Sequence, residues 1–554
     1  MAEAPGAAPN YIMPFMGSSH SVLQNTNLSY QMWPTLYTIG NARNVNTIDT
    51  ALSLAKPPVF SDGDTQVTVT LKPWKWSDGK PITARDVTFF MNLVKFDKLD
   101  WFDYTPGNMP TNLLSVSALG TNKVVFRLER AYNPTWFTDT ELAFVVPMPQ
   151  QVWDRESATG PVGTYDTTAA GAEAVYAFLN KQGEDTATYD TNPLWKVVDG
   201  AWKLKQYTSN GFVALVPNTA YSGPDKPRIA EFEEVPYTSA TAEFDAVLGG
   251  SVDIATVPET DLSQAARVRA AGYDVVRSSI VETPLISMNY RNPVIGPLVD
   301  QLYIREALND VNDQPSQIKA ILDGNGYPQY GPVPPVPANP FVAPIQKKDP
   351  FSISTARKLL TSHGWKIPAN GPAECVKPGT GPADCGAGIK KGEKLVFDLV
   401  YSSGTGYFTA MMESYKSTAS EAGIELNLSQ QPFNAIVGDI CGNATCDSPG
   451  WQLAMYGAWP FRSPYPQGSI MFGGHVGLDY PVPKPLASLI DATKTATASK
   501  TVKAMRAYDT WVVDQEPEVW ELGAYTVYAV SGKVKGVTFD PVNQNVFPQN
   551  FRLR

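Results

Sequence analysis

Between residues 67 and 95 the polarity of the chain changes period. Val67, Val69 and Leu71 alternate with Thr68, Thr70 and Lys72, the period of two expected of a strand with one buried face. Pro73, which has no N–H to give a ladder, ends that pattern, and Ser77-Asp78-Gly79 followed by Pro81 supplies turn chemistry. Apolar residues then recur at helical spacing, at Val87, Phe90, Met91 and Val94. Thr83 and Asp86 stand just before them, so a hydroxyl and a carboxylate are placed to cap the free N–H groups of that helix. The stretch reads as strand, aromatic turn and capped helix.

The same two periods recur downstream. Val124, Phe126 and Leu128 mark another half-buried strand, and 157–183 is punctuated by Gly and Thr before it turns helical. A helix over Ala240–Leu248 is followed by Gly249-Gly250, expected to supply the left-handed residue that closes it, and Asp253-Ile254 opens a short strand. Ile304, Ala307, Leu308 and Val311 trace an amphipathic helix. Ser354–His363 reads as a capped helix ending at Gly364. Beyond it a strand (LVFDLVYSSG), a helix (TGYFTAMMESYKSTASEAG, with Gly423 at its end) and a strand (IELNLSQ) alternate, the order of a doubly wound α/β lobe.

A chain of 554 residues exceeds what one hydrophobic core supports, so two or three domains are expected. Hydrophobic residues at 43% and charged ones at 18% exclude wholesale disorder. A net charge of -10, with no stripe of Lys and Arg, argues against a nucleic-acid partner, which needs clustered cations. No apolar run approaches the ~20 residues of a spanning helix. The opening MAEAPGAAPN has neither the basic nor the apolar region of a leader, so the chain is expected to begin beyond a removed one.

The four cysteines fall into local pairs, Cys375 with Cys385 and Cys441 with Cys446. Neighbour pairing closes short loops, as an oxidising compartment favours; a zinc site is the alternative, but neither pair has C-x-x-C spacing and none of His20, His363 and His475 lies close to one in sequence. The Gly/Pro-rich hairpin around the first pair is expected to be stapled, exposed and structural. G-x-S-x-G, H-E-x-x-H and G-x-x-x-x-G-K-[ST] motifs are all missing, so no catalytic residue, metal or cofactor is expected.

Within the opening stretch, WKWSDGKPITARDVTFF resembles the signature of the family 5 extracellular solute-binding proteins, the peptide and nickel receptors of ABC importers. The resemblance continues through the segment VVDGAWKLKQYTSNGF to GGSVDIA, through PLISMNYRNPVIGPLVDQLYIREAL, and into the C-terminal part from SKTVKAMRAYDTW onward. It implies an α/β, two-lobed, periplasmic-binding-protein-like fold, type II in its large three-domain variant, with two interlobe crossing segments. The implied division places a main domain of lobe 1 at 1–50, 190–283 and 521–554, a small accessory domain at 51–189, and lobe 2 at 284–520. Trp74, Trp76 and Asp78 are expected to shape a turn of the accessory domain rather than to touch ligand.

The resemblance also implies a non-enzymatic, extracytoplasmic receptor, periplasmic or a cell-surface lipoprotein, that closes on a peptide and delivers it to ABC importer permease subunits. It implies a monomer without cofactor, which meets the membrane only through an N-terminal lipid anchor outside this chain. In the family the N-terminal segment lines the ligand cleft, which nominates Tyr30, Gln31, Trp33 and Tyr37. Asn289 and Tyr290 fall at the crossover between lobes. Tyr401, Tyr456, Trp459, Phe461 and Arg462 complete the expected lining from lobe 2.

One departure matters. Family members that bind peptides carry, shortly after a Trp, an Asp whose carboxylate meets the ligand's ammonium; here Trp459 is followed by Pro460, Phe461 and Arg462. A buried ammonium without an acidic partner loses several kcal/mol of compensation. An oligosaccharide lying on Trp and Tyr faces is therefore the second reading. Arg462 meeting a carboxylate, or Asp439 or Asp447 substituting from the neighbouring loop, are the other ways to fill the place. A regulatory or hydrolytic protein on the same fold is a third reading, without a nucleophile motif to support it.

Overall fold

The computed structural model describes residues 1–3, 8–20, 23–38, 48–347, 350–440, 450–461, 463, 465–472, 480–542 and 546–554. The expectations for Cys441, Cys446, Asp447 and Arg462 lie outside the described residues.

The opening stretch folds as its periods dictate. Gln66–Thr70 pairs antiparallel with Val59–Ser61 and Lys123–Leu128, and the latter with Leu113–Leu119, in one four-stranded sheet. Val67, Val69, Val124 and Phe126 are fully buried on its inner face. The helix Ala84–Phe96 starts with a complete capping box: Thr83 N–H donates to Asp86 Oδ2 at 2.7 Å, and Thr83 Oγ1 accepts from Arg85 N–H at 3.3 Å. The aromatic turn is a docking device. Ser77 Oγ donates to Lys196 O at 3.0 Å and accepts from Val198 N–H at 3.1 Å, while Trp76 is fully buried and Trp74 sits edge-on to Tyr221. Arg85 reaches out of the signature in the other direction, donating to Asp166 and, at 3.1 Å, to Asp154, two carboxylates whose side chains are completely buried.

Further along the chain the sheets divide at two places. Tyr273–Ser278, Thr526–Ser531 and Ile254–Thr256 form a three-stranded antiparallel sheet. A five-stranded sheet has the order Glu425–Pro432, Val396–Ser403, Leu453–Pro460, Glu282–Met288, Val519–Trp520. The chain therefore passes from one sheet to the other between Ser278 and Glu282 and returns between Trp520 and Thr526. The alternation of helix and strand predicts a parallel sheet, and the first three strands of the five are parallel; the outgoing crossing segment Glu282–Met288 runs antiparallel to both its neighbours, so the returning one, Val519–Trp520, runs with the first three. The helices Leu302–Asp310, Ile353–Ser362 and Phe408–Ala422 cover one face through Ile286, Met288, Phe397, Leu399 and Met455.

The helix Ala240–Leu248 is closed as expected, by Gly249 at φ -80° and then Gly250 at the left-handed φ of +69°. Local details depart from expectation at two other points. The helix read as Ser354–His363 is Ile353–Ser362, capped by Ser352, whose Oγ accepts from Thr355 N–H at 3.2 Å. Cys375 and Cys385 form a disulfide, but both residues are fully buried against the core of the five-stranded sheet, with Tyr303 Oη donating to Cys385 O at 2.6 Å. The hairpin is thus an anchored flap rather than a free one.

Burial leaves several carboxyls reluctant to ionise. Asp139 and Asp509 are pushed up to about 7, and Glu521 to about 8, chiefly by loss of solvent. In the unfolded chain these groups titrate near pH 4. Between those limits the folded state holds more protons than the unfolded one, so stability falls as pH rises through the window. Thermal melts are expected to shift upward as the buffer goes from pH 8 to about 5.5; a melting temperature that falls over that range contradicts the assignment.

Candidate functional site

Ligand sites in α/β sheets gather outside the carboxyl ends of parallel strands. Here Pro432, Ser403 and Pro460 end on one edge, and the crossing strand Glu282–Met288 begins there, because register pairs Glu282 with Pro460 and Thr283 with Trp459. The loop after Ser403 carries Tyr407, and at Gly406 it passes so close to the other side of the crossing that an added Cβ would lie 3.4 Å from Thr260 Cγ2. The edge therefore faces the part of the chain that carries Thr260, across the crossing strands, and is the candidate ligand crevice.

Its electrostatics are uncompensated. Glu282 retains some exposure, yet burial pushes its carboxyl up to about 7, and it has neither ion pair nor hydrogen bond among the described residues. The Tyr407 phenol is raised well above its ordinary value, first by burial and then by the negative field of Glu259 and Glu282. Across the strand pair, the indole N–H of Trp459 is buried with no acceptor among the described residues. An unsatisfied donor and an unpaired carboxylate at one sheet edge are each costly unless a further molecule meets them. Among the described residues no three His, Cys, Asp or Glu are grouped to hold a metal ion.

The residues singled out from sequence have separate fates. Tyr456 and Trp459 are half-buried near the end of their strand, and Phe461, which is buried, donates its backbone N–H to Val281 O at 2.9 Å beside the crevice. Tyr401 is buried two residues before the end of Val396–Ser403, its hydroxyl 3.3 Å from Thr409 Oγ1. Asn289 and Tyr290 are struts: Asn289 Nδ2 donates to Trp451 O at 2.9 Å and Tyr290 Oη to Pro517 O at 2.6 Å, tying the crossing strand to its neighbours. Trp33 is a correction. It is fully buried, donates to Val197 O at 2.9 Å and stands edge-on to Trp153 and Trp195, so the core consumes it; Tyr37, fully buried with its hydroxyl on Lys56 O, is another core residue. Tyr30 and Gln31 line a hollow whose described lining includes no residue of 284–520. Sequence reasoning missed Glu282 and Tyr407; the available signal was a lone acid opening an apolar strand and an aromatic just past a strand's carboxyl end.

A second contact joins the two parts of the molecule away from the crevice. Lys494 Nζ donates to Asn108 Oδ1 at 2.6 Å, Asn133 Nδ2 donates to Ala496 O and Thr501 Oγ1 at 2.6 Å each, and Arg130 pairs with Asp491. Burial depresses the Lys494 ammonium and lifts the nearby Glu141 carboxyl to about 8.

Comparison with known proteins places this geometry. The family model described as bacterial extracellular solute-binding proteins, family 5 Middle, matches residues 50–477. Protein XP55 of Streptomyces lividans is 26% identical over 390 residues, 70% of this chain and 60% of that protein, so the chain spans about three fifths of its length. The oligopeptide-binding protein AppA of Bacillus subtilis is 23% identical over 441 residues, 78% of this chain and 70% of the relative. Among solved structures, AppA in complex with a nonapeptide superposes with a TM-score of 0.71 at 18% identity, covering 100% of this chain and 98% of that one. NikA from Brucella suis in complex with Fe(III)-EDTA gives 0.76 at 16% identity, covering 100% and 99%. The fold is the two-lobed, periplasmic-binding-protein-like one expected.

Proposed function

We infer the function from a plain premise: this chain belongs to the bacterial extracellular solute-binding proteins of family 5. We propose that it is the extracytoplasmic receptor of an ABC importer, a monomer that closes two lobes on a peptide and hands it to membrane permease subunits without chemical change. The observation that carries the peptide reading is the unmet carboxyl of Glu282 at the strand ends, which suits a terminal ammonium. Glu282 thereby takes the role vacated after Trp459, from the neighbouring strand instead of from the same loop. The relatives named for oligopeptides support this choice.

The lobes of this proposal keep the division 1–50 with 190–283 and 521–554, 51–189, and 284–520. In support, the three-stranded sheet falls in the first, the Gln66–Thr70 sheet in the second, and nearly all of the five-stranded sheet in the third. A location outside the cytoplasm and a lipid anchor beyond this chain belong to the same reading; no described helix is long and apolar enough to cross a membrane. The oligosaccharide reading keeps one specific support, the aromatic faces of Tyr407, Tyr456 and Trp459 around the crevice. Calorimetric titration with tri- to hexapeptides and with oligosaccharides of similar mass separates the two; saturable heat from the sugars alone overturns the peptide assignment.

Closure draws on the second contact as well as on ligand. Lys494→Met keeps the volume but removes a charge-assisted hydrogen bond worth about 1.5–3 kcal/mol. Because ligand binds the closed form, the lost energy appears as weaker binding, by about 10- to 100-fold, with a larger radius of gyration by small-angle scattering. Unchanged affinity and dimensions sink this role for the contact.

A further inference from the structure

A hollow of about 180 Å³ opens between the loop that follows Tyr221 and the C-terminal segment. A second, of about 80 Å³, adjoins it and shares Leu52, Phe547 and Gln549. No described residue of 284–520 lines either one, so both lie apart from the strand-end crevice.

Their walls differ in chemistry. The outer hollow is rimmed by Lys226, Arg228 and Arg552, none of which has an ion pair with a described residue; Lys226 lies over the Tyr221 ring at 5.2 Å, and the one acid among the described lining residues, Asp225, has a partner of its own. In a chain with net charge -10, three cations without an ion pair around one opening stand against the overall balance. Between the hollows, Gln549 Oε1 is buried with no hydrogen-bond partner among the described residues. The inner hollow is walled by Tyr30, Tyr221 and Phe547; its acid, Asp540, already accepts Val542 N–H at 2.8 Å. Tyr221 is fixed in place by its edge-on contact with Trp74 at 5.6 Å. The C-terminal wall is held close by Gly536, at φ +82°, where a Cβ would fall 2.2 Å from Asn550 O.

We propose that this double hollow is a second binding site, for a small organic anion. Arg228 and Arg552 hold a carboxylate or phosphate head at the rim, and a flat apolar body lies inward against Tyr221 and Phe547. Guanidinium groups match both head groups through paired N–H donors. The volumes fall below the ~300 Å³ at which pockets begin to take drug-sized ligands, which limits the body to about one ring.

The test is calorimetric titration of the full chain with benzoate, phenyl phosphate and inorganic phosphate. Benzoate or phenyl phosphate is expected to bind at one site, and inorganic phosphate more weakly because it leaves the inner hollow empty. Exposed Arg228 and Arg552 are replaceable without loss of packing, so Arg228→Ala/Arg552→Ala is expected to melt like the parent and to bind the aromatic anion at least about tenfold more weakly, the loss of one charge-assisted contact. Trp459→Ala is expected to leave that binding unchanged. Absence of saturable binding at millimolar aromatic anion overturns the proposal. Equal affinity in the double variant, or loss in Trp459→Ala, does the same by placing the anion elsewhere. Peptide titrations of the double variant stay as in the parent, so the two readings fail separately.

Discussion

Glu282→Gln weakens binding of a peptide with a free N-terminus by at least about 30-fold. The substitution keeps the shape of the side chain and removes its charge, and truncating one partner of a buried, hydrogen-bonded charge pair costs about 2–5 kcal/mol, largely the penalty of leaving the other charge unpaired. The pH profile carries an independent sign. With the carboxyl lifted to about 7 before ligand arrives, a cationic ligand favours the ionised form, so binding releases a proton and weakens as pH falls below about 7. Glu282→Gln flattens that dependence. Calorimetry in two buffers of different ionisation enthalpy reads the proton directly. A parent protein whose affinity is level from pH 8 to 5, or a variant that binds as well as the parent, removes Glu282 from the site.

Arg85→Ala lowers stability by about 3 kcal/mol or more, the cost of stranding buried charge when one partner of a buried pair is removed. Here a single guanidinium serves Asp154 and Asp166, both completely buried, while the arginine itself is 30% exposed, which places the expectation toward the lower end of the 3–5 kcal/mol range. The loss concentrates in 51–189, where hydrogen exchange is expected to speed up ahead of the rest of the chain. Adding Asp166→Asn to the Arg85→Ala background restores part of the stability by removing one stranded charge. A single variant that melts with the parent, or a double variant worse than the single, contradicts the account.

The signature around Arg85 was legible because its causes are local. A strand period, a turn tripeptide and a capping pair stand within thirty residues, and the structure realises each of them, as it does the helix Ala240–Leu248 and the strand–helix–strand run ending in Glu425–Pro432. The family signature nevertheless does structural work: Ser77 docks the turn on Lys196 and Val198, and Arg85 fastens the insert that carries Asp154 and Asp166. The crevice was legible in part, since the family resemblance nominates Tyr456 and Trp459, which the structure places near the end of the strand Leu453–Pro460. Facing was not legible. Trp33 is claimed by Trp153 and Trp195, and Gln31 by Val546 O at 2.9 Å, partners that sequence period does not announce. Glu282 was hidden for the same reason, because only the antiparallel register with Pro460 brings the start of its strand to the end of the strand that carries Trp459.

The central claim is that a ligand ammonium replaces the missing partner of Glu282 in the strand-end crevice. Its most direct measurement is a paired calorimetric titration of one peptide with its N-terminus free and acetylated. The account predicts saturable one-to-one binding of the free peptide and a loss of at least about 30-fold on acetylation, a gap that closes in Glu282→Gln. Equal binding of the two peptides by the parent protein contradicts it.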